Sequence, residues 1–247
     1  MNILVMADSH VGIEIVKWLI YKYIDDITLI VSMSENDIFN LAKKAKLPCF
    51  IFKSNNDLIK FLEFHNITID FGFLVWWPNL VEKSLIKYSK FGFINTHPSL
   101  LPYNRGKHPN FWAIVENLPF GVTLHYVDDG IDSGDIIAQK KIDYDWEDTG
   151  GSLYYKALEC TIDLFKQIYP DIRRFFITHS EQDDKKVTFH LAKEIDSVCK
   201  IDLERNYIAK DLLNLLRART FIGCPACWFE DGNESYEVRI EIKRKNS

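Results

Sequence analysis

Short apolar runs alternate with longer segments of helical periodicity along the first two thirds of the chain. The apolar runs, which predict strands, cover residues 2–6, 27–31, 48–52, 69–76, 91–97, 121–127 and 135–142. The segments between the first four runs place apolar residues three and four positions apart, and Asn36 or Asp37 is suited to cap one of these helices. Strands that alternate with helices predict an α/β fold with a mostly parallel sheet flanked by helices.

The last third of the chain follows a different pattern. A long amphipathic helix is predicted to begin at Asp148 or Thr149 and to end near Pro170. We interpret the polar stretch 179–186 as a boundary, which divides the chain into a domain 1–178 and a small C-terminal domain 179–247. The second is predicted to contain a helix over 207–217 and a β-hairpin around Asp231-Gly232-Asn233.

Composition narrows the possible environments of the protein. The 247 residues are 47% hydrophobic and carry a formal net charge of −5, which argues against a nucleic-acid partner. No apolar run approaches the length of a membrane span, and no signal segment is evident, so we expect no membrane contact. Five scattered cysteines indicate a reducing, cytoplasmic location. Cys224 and Cys227 lack a second ligand pair, so no metal site is predicted.

The most informative strand is the one that runs from Phe91 to His97. Its residues alternate, so Asn95 and His97 point to the same face, and Pro98 ends the strand directly after them. This places a carboxamide and an imidazole side by side at a strand end, where open parallel sheets bind their ligands. The alternative is a core histidine beside an asparagine that satisfies backbone groups.

An aspartate-rich loop could complete a catalytic site. The sequence DDGIDSGD over residues 128–135 follows a strand, and one of its carboxylates could act with Asn95 and His97 on a carbonyl-like carbon. The two side chains would donate hydrogen bonds to an oxyanion, and the carboxylate would take the proton of the nucleophile. Because no serine or cysteine is placed as a nucleophile, the attacking group would come from the substrate. A solvated turn is the alternative for this loop.

Three further groups are candidates for ligand contacts. Ser9 and His10 begin the first helix, where backbone amides could bind a phosphate, although the loop lacks the GxGxxG pattern of dinucleotide sites. Trp76 and Trp77 follow the fourth strand and could form a pocket wall or belong to the core. Basic residues after the central strand could face an anionic substrate or solvent; they are Arg105, Lys107 and His108.

Two motifs together resemble a known family. Residues 95–102 read NTHPSLLP and residues 130–136 read GIDSGDI, which is similar to formyltransferases that use N10-formyltetrahydrofolate. The resemblance covers about residues 1–170 and implies a Rossmann-like fold that transfers a formyl group to a primary amine. It also implies that Asn95, His97 and Asp132 are catalytic. The family usually has Ile where this chain has Thr96.

The same resemblance implies which residues bind the ligands. Folate would lie between the segment after the fourth strand and the aspartate-rich loop; the implied residues are Val75, Trp76, Trp77, Pro78, His125, Asp128 and Asp129. We assign substrate binding to Ser9, His10, Arg105, Gly106 and Lys107.

Within the family, this chain is most similar to the nucleotide-sugar N-formyltransferases. The net charge argues against a tRNA substrate, and about 70 residues follow the first domain, including LLNLLRARTF and a hairpin that offers a homodimer surface. The implied substrate is a nucleotide-linked amino sugar. More specifically, it is a dTDP-linked amino-dideoxy sugar for a surface polysaccharide such as lipopolysaccharide O-antigen. The alternatives are a glycinamide ribonucleotide or methionyl-tRNA formyltransferase, a deformylase, and a non-catalytic folate or nucleotide-sugar binding module.

Overall fold

The computed structural model describes residues 1–245 and contains strands and helices in alternation over most of its length. The strands are β1 (Ile3–Ala7), β2 (Ile27–Ser32), β3 (Cys49–Ile51), β4 (Phe71–Val75), β5 (Phe93–His97), β6 (Arg105–Gly106), β7 (Phe120–Tyr126), β8 (Ile136–Ile142), β9 (Phe189–His190), β10 (Cys227–Asp231) and β11 (Glu234–Val238). The α-helices are α1 (Ser9–Tyr23), α2 (Asp37–Lys44), α3 (Asn55–Phe64), α4 (Lys83–Ile86), α5 (Pro109–Val115), α6 (Gly150–Arg173), α7 (Glu194–Val198) and α8 (Ala209–Arg219).

Seven strands form one sheet in the order β3-β2-β1-β4-β5-β7-β8. The first five strands in this order pair in parallel, whereas β7 runs antiparallel to β5. A separate two-stranded antiparallel sheet is formed by β10 and β11. The predicted fold class, a mostly parallel sheet with flanking helices and a small hairpin part, is therefore confirmed.

The centre of the sheet is apolar on both faces. All five residues of β1 and all five of β4 are buried, as expected for parallel strands that are covered on both sides. Gly72 in β4 is needed here because a Cβ at this position would lie 2.2 Å from the ring of Phe93. The absence of a side chain at Gly72 therefore allows a fully buried phenylalanine on β5, the strand that carries Asn95 and His97.

Side-chain caps fix two helix starts. The Asn36 side chain accepts hydrogen bonds from the backbone N–H groups of Ile38 and Phe39, at 3.1 and 3.2 Å, which confirms its predicted role at the start of α2. The cap of α3 is Ser54, whose hydroxyl accepts from the N–H of Asp57 at 3.1 Å.

Two other boundaries differ from the sequence-based expectation. The helix α6 does not end near Pro170 but continues to Arg173, because Tyr169 and Ile172 in its last turns are fully buried and hold them in place. The fourth strand ends at Val75 rather than at residue 76. Trp76 adopts a left-handed backbone with φ of 54°, so the two tryptophans are not successive strand residues.

The chain forms two compact units, each assembled from several segments. The first unit contains residues 1–97, 123–139 and 161–182. The second contains 98–122, 140–160 and the C-terminal segment from Asp183. The division into domains 1–178 and 179–247 stays a prediction, and the last two residues of the second lie outside the described range.

In the second unit, α5 packs against α8. The side chain of Arg217 is buried and donates from Nη1 to the backbone carbonyls of Asp145 and Asp148, at 2.6 and 2.9 Å, and from Nε to Asn214 at 3.0 Å. The predicted hairpin is present, and its two-residue turn contains Gly232 with φ of 61°. No helix within residues 1–245 is long and apolar enough to span a membrane.

Two side chains of this unit are more buried than their sequence context indicates. His190 lies in a polar segment, but its side chain is only 11% exposed and stacks on Trp112 with ring centroids 3.7 Å apart. Cys227 is fully buried and interacts with Cys199 rather than with Cys224; the hydrogen bond between the two thiols, together with burial, raises the pKa of Cys227.

Candidate active site

The centre of the candidate site lies on one face of β5. Asn95 and His97 are two residues apart on this strand, so their side chains share a face. The antiparallel strand β7 places His125 directly opposite Asn95 and Thr123 opposite His97. Because opposite residues on paired strands face the same side, an asparagine and two histidines come together here.

Asp132 reaches this cluster from the aspartate-rich loop between β7 and β8. Its carboxylate accepts a hydrogen bond from Asn95 Nδ2 at 3.3 Å and lies 3.5 Å from His97 Nδ1 and 3.5 Å from His125 Nε2. The side chain of Asp132 is 14% exposed, whereas those of His97 and His125 are 7% and 3% exposed. The structure therefore brings the three predicted catalytic residues together, with His125 as a fourth member.

The hydrogen bonds of His125 fix the orientation of Asn95. The Nδ1 atom of His125 lies 2.8 Å from the backbone carbonyl of Tyr126, which can only accept, so Nδ1 carries the proton. In the neutral imidazole, Nε2 is then the acceptor and faces Asn95 Nδ2, which is 3.2 Å away. With the opposite orientation of the amide, the Asn95 oxygen would face the Asp132 carboxylate and this imidazole lone pair. Both contacts would then be repulsive, so Nδ2 is the atom that faces them.

Thr96 links the central strand to the segment after β4. Its side chain points to the face opposite Asn95 and is buried. The hydroxyl donates to the carbonyl of Leu74 at 3.2 Å and accepts from the N–H of Trp76 at 3.1 Å. A hydroxyl at this position thus anchors the left-handed Trp76, a role that the sequence analysis did not assign to Thr96.

The two tryptophans after β4 have different environments. Trp77 packs edge-on against Phe52 at a centroid distance of 5.2 Å, as part of the hydrophobic core around β4. Trp76 is partly buried, Val75 is fully buried as the last residue of β4, and Pro78 is exposed. Trp76 is therefore the tryptophan that can line a pocket at this strand end, while Trp77 contributes to the core.

Asp128 and Asp129 lie in the exposed first half of the aspartate-rich loop. The carboxylate of Asp128 accepts from the N–H of Gly130 at 3.0 Å and from the hydroxyl of Ser133 at 2.7 Å, so it holds the turn together. Asp129 forms an ion pair with Lys83 at the start of α4. Neither carboxylate contributes to the cluster around Asp132 in the contacts described above.

Ser9 and His10 begin α1, directly after Asp8. The N–H of Asp8 donates to the carbonyl of Val75 at 3.1 Å, which places the exit of β1 beside the exit of β4. Ser9 has a φ of 55°, and its buried Oγ has no hydrogen-bond partner among residues 1–245. His10 is exposed.

The basic residues after β5 belong to the second unit. Gly106 has a φ of 90°, and a Cβ there would lie 2.3 Å from the carbonyl of His190, so the pairing of β6 with β9 requires glycine. The Arg105 side chain lies 3.9 Å from Asp184, and Lys107 is exposed. Burial, followed by the charges of Arg219 and Lys107, lowers the pKa of His108.

The cluster on β5 and β7 is suited to acyl transfer. Amide and imidazole donors beside a partly exposed carboxylate can stabilise an oxyanion and accept a proton. Within the described part of the chain, no group of three His, Cys, Asp or Glu side chains could hold a metal ion.

Comparison with known families decides the relationship. Residues 2–168 match the Formyl transferase family, and residues 194–244 match the N-formyltransferase dimerization C-terminal domain. The chain belongs to the formyl transferase family. The resemblance found from the two motifs is therefore confirmed.

Relatives within the formyl transferase family include sugar-modifying enzymes. The dTDP-4-amino-4,6-dideoxyglucose formyltransferase of Mycobacterium tuberculosis is 31% identical over 140 residues, which are 57% of this chain and 59% of the relative. This chain thus matches less than two thirds of the length of that relative.

Two crystal structures share the fold. A 4-N formyltransferase from Francisella tularensis superposes with a TM-score of 0.83 at 24% identity, covering 99% of this chain and 98% of the other. The N-formyltransferase from Helicobacter canadensis, in complex with folinic acid and dTDP-3-aminofucose, superposes with a TM-score of 0.70 at 18% identity. The match covers 90% of this chain and 81% of the other.

Proposed function

We propose that this formyl transferase moves a formyl group from N10-formyltetrahydrofolate to the primary amine of a nucleotide-linked amino sugar. The observation that carries the proposal is the convergence of Asn95, His97 and His125 on the carboxylate of Asp132, at 3.3 to 3.5 Å. Acyl transfer to an amine needs donors for an oxyanion and an acceptor for a proton, and this cluster contains both.

In the proposed reaction, the neutral amine attacks the formyl carbon and the carbonyl oxygen becomes an oxyanion. Asn95 and His97 donate hydrogen bonds to it, and Asp132 accepts a proton from the new ammonium group. As Asp132 takes this proton, its attraction for Asn95 Nδ2 weakens and one N–H of the amide turns to the oxyanion. Collapse of the tetrahedral centre breaks the bond to folate N10, which leaves with the proton that Asp132 took from the amine.

The residues around this cluster fit a folate co-substrate. In the sheet, β5 lies between β4 and β7, so the segment from Val75 to Pro78 and the loop of residues 128–132 leave strands on either side of Asn95. Trp76 offers an aromatic surface, and the exposed loop backbone offers polar partners for a pterin. The co-crystallised folinic acid of the Helicobacter relative supports this choice.

The amino-sugar acceptor is supported by relatives and by candidate anion contacts. The mycobacterial relative is named as a dTDP-4-amino-4,6-dideoxyglucose formyltransferase, and the Helicobacter structure is a complex with dTDP-3-aminofucose. The buried Ser9 hydroxyl at the start of α1 is our candidate for a diphosphate contact in the first unit. Arg105, Gly106 and Lys107, in the second unit, stay predicted substrate contacts. We further propose a dTDP-linked dideoxy sugar for surface polysaccharide, and a homodimer formed through the C-terminal domain.

One incubation tests the proposal. The protein, N10-formyltetrahydrofolate and a panel of dTDP-, UDP- and GDP-linked amino sugars are combined, and mass spectrometry follows the gain of one carbonyl group on the sugar. We expect Asn95→Ala and His97→Ala each to lower kcat about 100- to 1000-fold, since each removes an oxyanion donor.

The exposed histidine variant His65→Ala is the control and should retain wild-type activity. Loss of the folate formyl group without an amine would instead identify a deformylase. Folate binding without any turnover would identify a binding module. Unchanged kcat in both site variants would contradict the proposed roles of Asn95 and His97.

A further inference from the structure

The segment 179–182, which follows α6, runs along the second half of the aspartate-rich loop. His179 Nδ1 lies 2.6 Å from the carboxylate of Asp135, and Ser180 exchanges two backbone hydrogen bonds with Ile136, at 2.8 and 2.9 Å. Gln182 then donates from Nε2 to the carbonyls of Asp132 and Gly134, at 2.9 and 2.8 Å. The polar stretch that resembles a linker in the sequence is therefore attached to the loop at three successive points.

The loop needs such an attachment because of its backbone. Asp132 has a φ of 52°, a left-handed conformation that a non-glycine residue keeps only where its surroundings hold it. The carboxylate of Asp128 holds the turn at Gly130 and Ser133 as an acceptor, so it cannot serve the carbonyls of Asp132 and Gly134. Gln182 satisfies both carbonyls with one nitrogen.

We infer that Gln182 is a positioning residue, which holds Asp132 in the orientation that meets Asn95 and His97. The inference rests on the proposed function and adds a residue to it. Gln182 is partly buried, whereas Glu181 and Asp183 on either side are exposed, as expected if its side chain turns inward to the loop. Loss of the two hydrogen bonds frees the main chain on both sides of Ser133, and the Asp132 carboxylate moves with it.

The chemistry of the contact makes specific demands on residue 182. The side-chain amide of glutamine has two N–H groups on one nitrogen and can donate to two acceptors. An ionised carboxylate has no donor and cannot do this. Gln182→Glu keeps the shape of the side chain but places an oxygen against two carbonyl oxygens. Gln182→Ala removes the contact without adding repulsion. The glutamate variant should therefore be at least as impaired as the alanine variant.

Steady-state kinetics of the full chain test the inference. Because a displacement of about 1 Å can cost roughly 100-fold in rate, we expect Gln182→Ala to lower kcat about 10- to 100-fold while KM for folate and for the sugar stays close to wild type. Glu181→Gln, a substitution on the same segment at an exposed residue, is the matched control and should leave kcat unchanged. The positioning role would be overturned if Gln182→Ala and Glu181→Gln changed kcat equally. It would also be overturned if Gln182→Ala changed KM alone.

Amide hydrogen exchange supplies a readout that does not depend on turnover. In Gln182→Ala, exchange should accelerate in peptides that cover residues 128–136 and not in peptides from β1 and α1. Unchanged exchange in the loop would overturn the inference, as would faster exchange over the whole chain, which indicates a general loss of stability. If the wild-type protein transfers no formyl group to any amine, the proposed function fails, while the exchange result still decides whether Gln182 holds the loop.

Discussion

Two acids of the first unit, Asp26 and Asp132, both accept contacts from several side chains but differ in the partners and in the geometry of those contacts. Asp26 is almost completely buried and accepts short hydrogen bonds from Arg173 Nε at 2.7 Å and from the Tyr169 hydroxyl at 3.0 Å. These are strong, charge-assisted contacts between the segment before β2 and the last turns of α6. Burial, followed by the charge of Asp26, raises the pKa of Tyr169, so the phenol remains a donor.

Asp132 is more exposed to solvent, and its contacts with three residues of the site are longer. Its neighbours Asn95, His97 and His125 lie at 3.3 to 3.5 Å, and its side chain is 14% exposed compared with 3% for Asp26. A short bond to a permanent cation ties Asp26 to α6, whereas longer contacts with an amide and two imidazoles leave the Asp132 carboxylate partly open to solvent. We therefore expect Asp26 to stabilise the fold and Asp132 to serve the proposed reaction.

The largest effect should come from Asp132→Asn. This substitution keeps the shape of the side chain but removes the proton acceptor, so kcat should fall about 100- to 10,000-fold. The urea midpoint of unfolding should stay near that of the wild type. Both quantities are measured on the same preparation. Asp26→Asn should behave in the opposite way, with a lowered urea midpoint and an unchanged kcat. A large loss of stability in Asp132→Asn would remove the contrast between the two acids.

Asp26→Ala should have its main effect on stability. The Tyr169 hydroxyl is buried and loses its acceptor, which costs about 1–3 kcal/mol in the free energy of unfolding. Urea unfolding measures this value, and kcat of the folded enzyme should not change. The adjacent exposed residue provides the control, since Asp25→Ala should be nearly neutral. A loss of activity without a loss of stability would contradict the structural role.

Substitution of His125 tests how strongly the site depends on the orientation of one amide. His125→Ala removes the acceptor that faces Asn95, and a hydrogen bond of this kind is worth about 0.5–1.5 kcal/mol, or roughly a 2- to 10-fold loss in kcat. His125→Gln can present an oxygen near the position of Nε2 and should lose less. Equal losses in the two variants would indicate that packing, rather than the acceptor, is what His125 provides.

Tyr169→Phe should have the smallest effect. It removes one of the hydrogen bonds to Asp26 and keeps the aromatic ring, so the free energy of unfolding should fall by about 1 kcal/mol. Thermal or urea unfolding measures the change, with the exposed Tyr155→Phe as control. A loss as large as that of Asp26→Ala would mean that the tyrosine, rather than the arginine, accounts for the stabilising role of this acid.

The parts of the site that sequence could predict are those set by local geometry. The shared face of Asn95 and His97 follows from a spacing of two residues in a strand, and the structure has it. The choice of Asp132 among the aspartates of its loop came only from the family resemblance, because nothing in a loop sequence fixes which carboxylate turns inward.

Contacts between distant segments were not predictable in the same way. His125 meets Asn95 because β7 pairs antiparallel with β5 in one register, and this register depends on the whole sheet. His190 has polar neighbours in the sequence, yet its ring stacks on Trp112, which is far away along the chain. Gln182 lies in a segment whose composition is that of a linker, and only the coordinates show that its amide faces the loop.

Gly134 has a consequence for how this loop can vary. A Cβ at this residue would lie 2.0 Å from the carbonyl oxygen of Tyr126, so the main chain after Ser133 rests directly on the main chain of β7. The path of the loop is therefore fixed at Gly134 by backbone packed on backbone, in addition to the hydrogen bonds from Gln182. Any side chain at residue 134 would have to displace the main chain, which carries the Asp132 carboxylate two residues earlier.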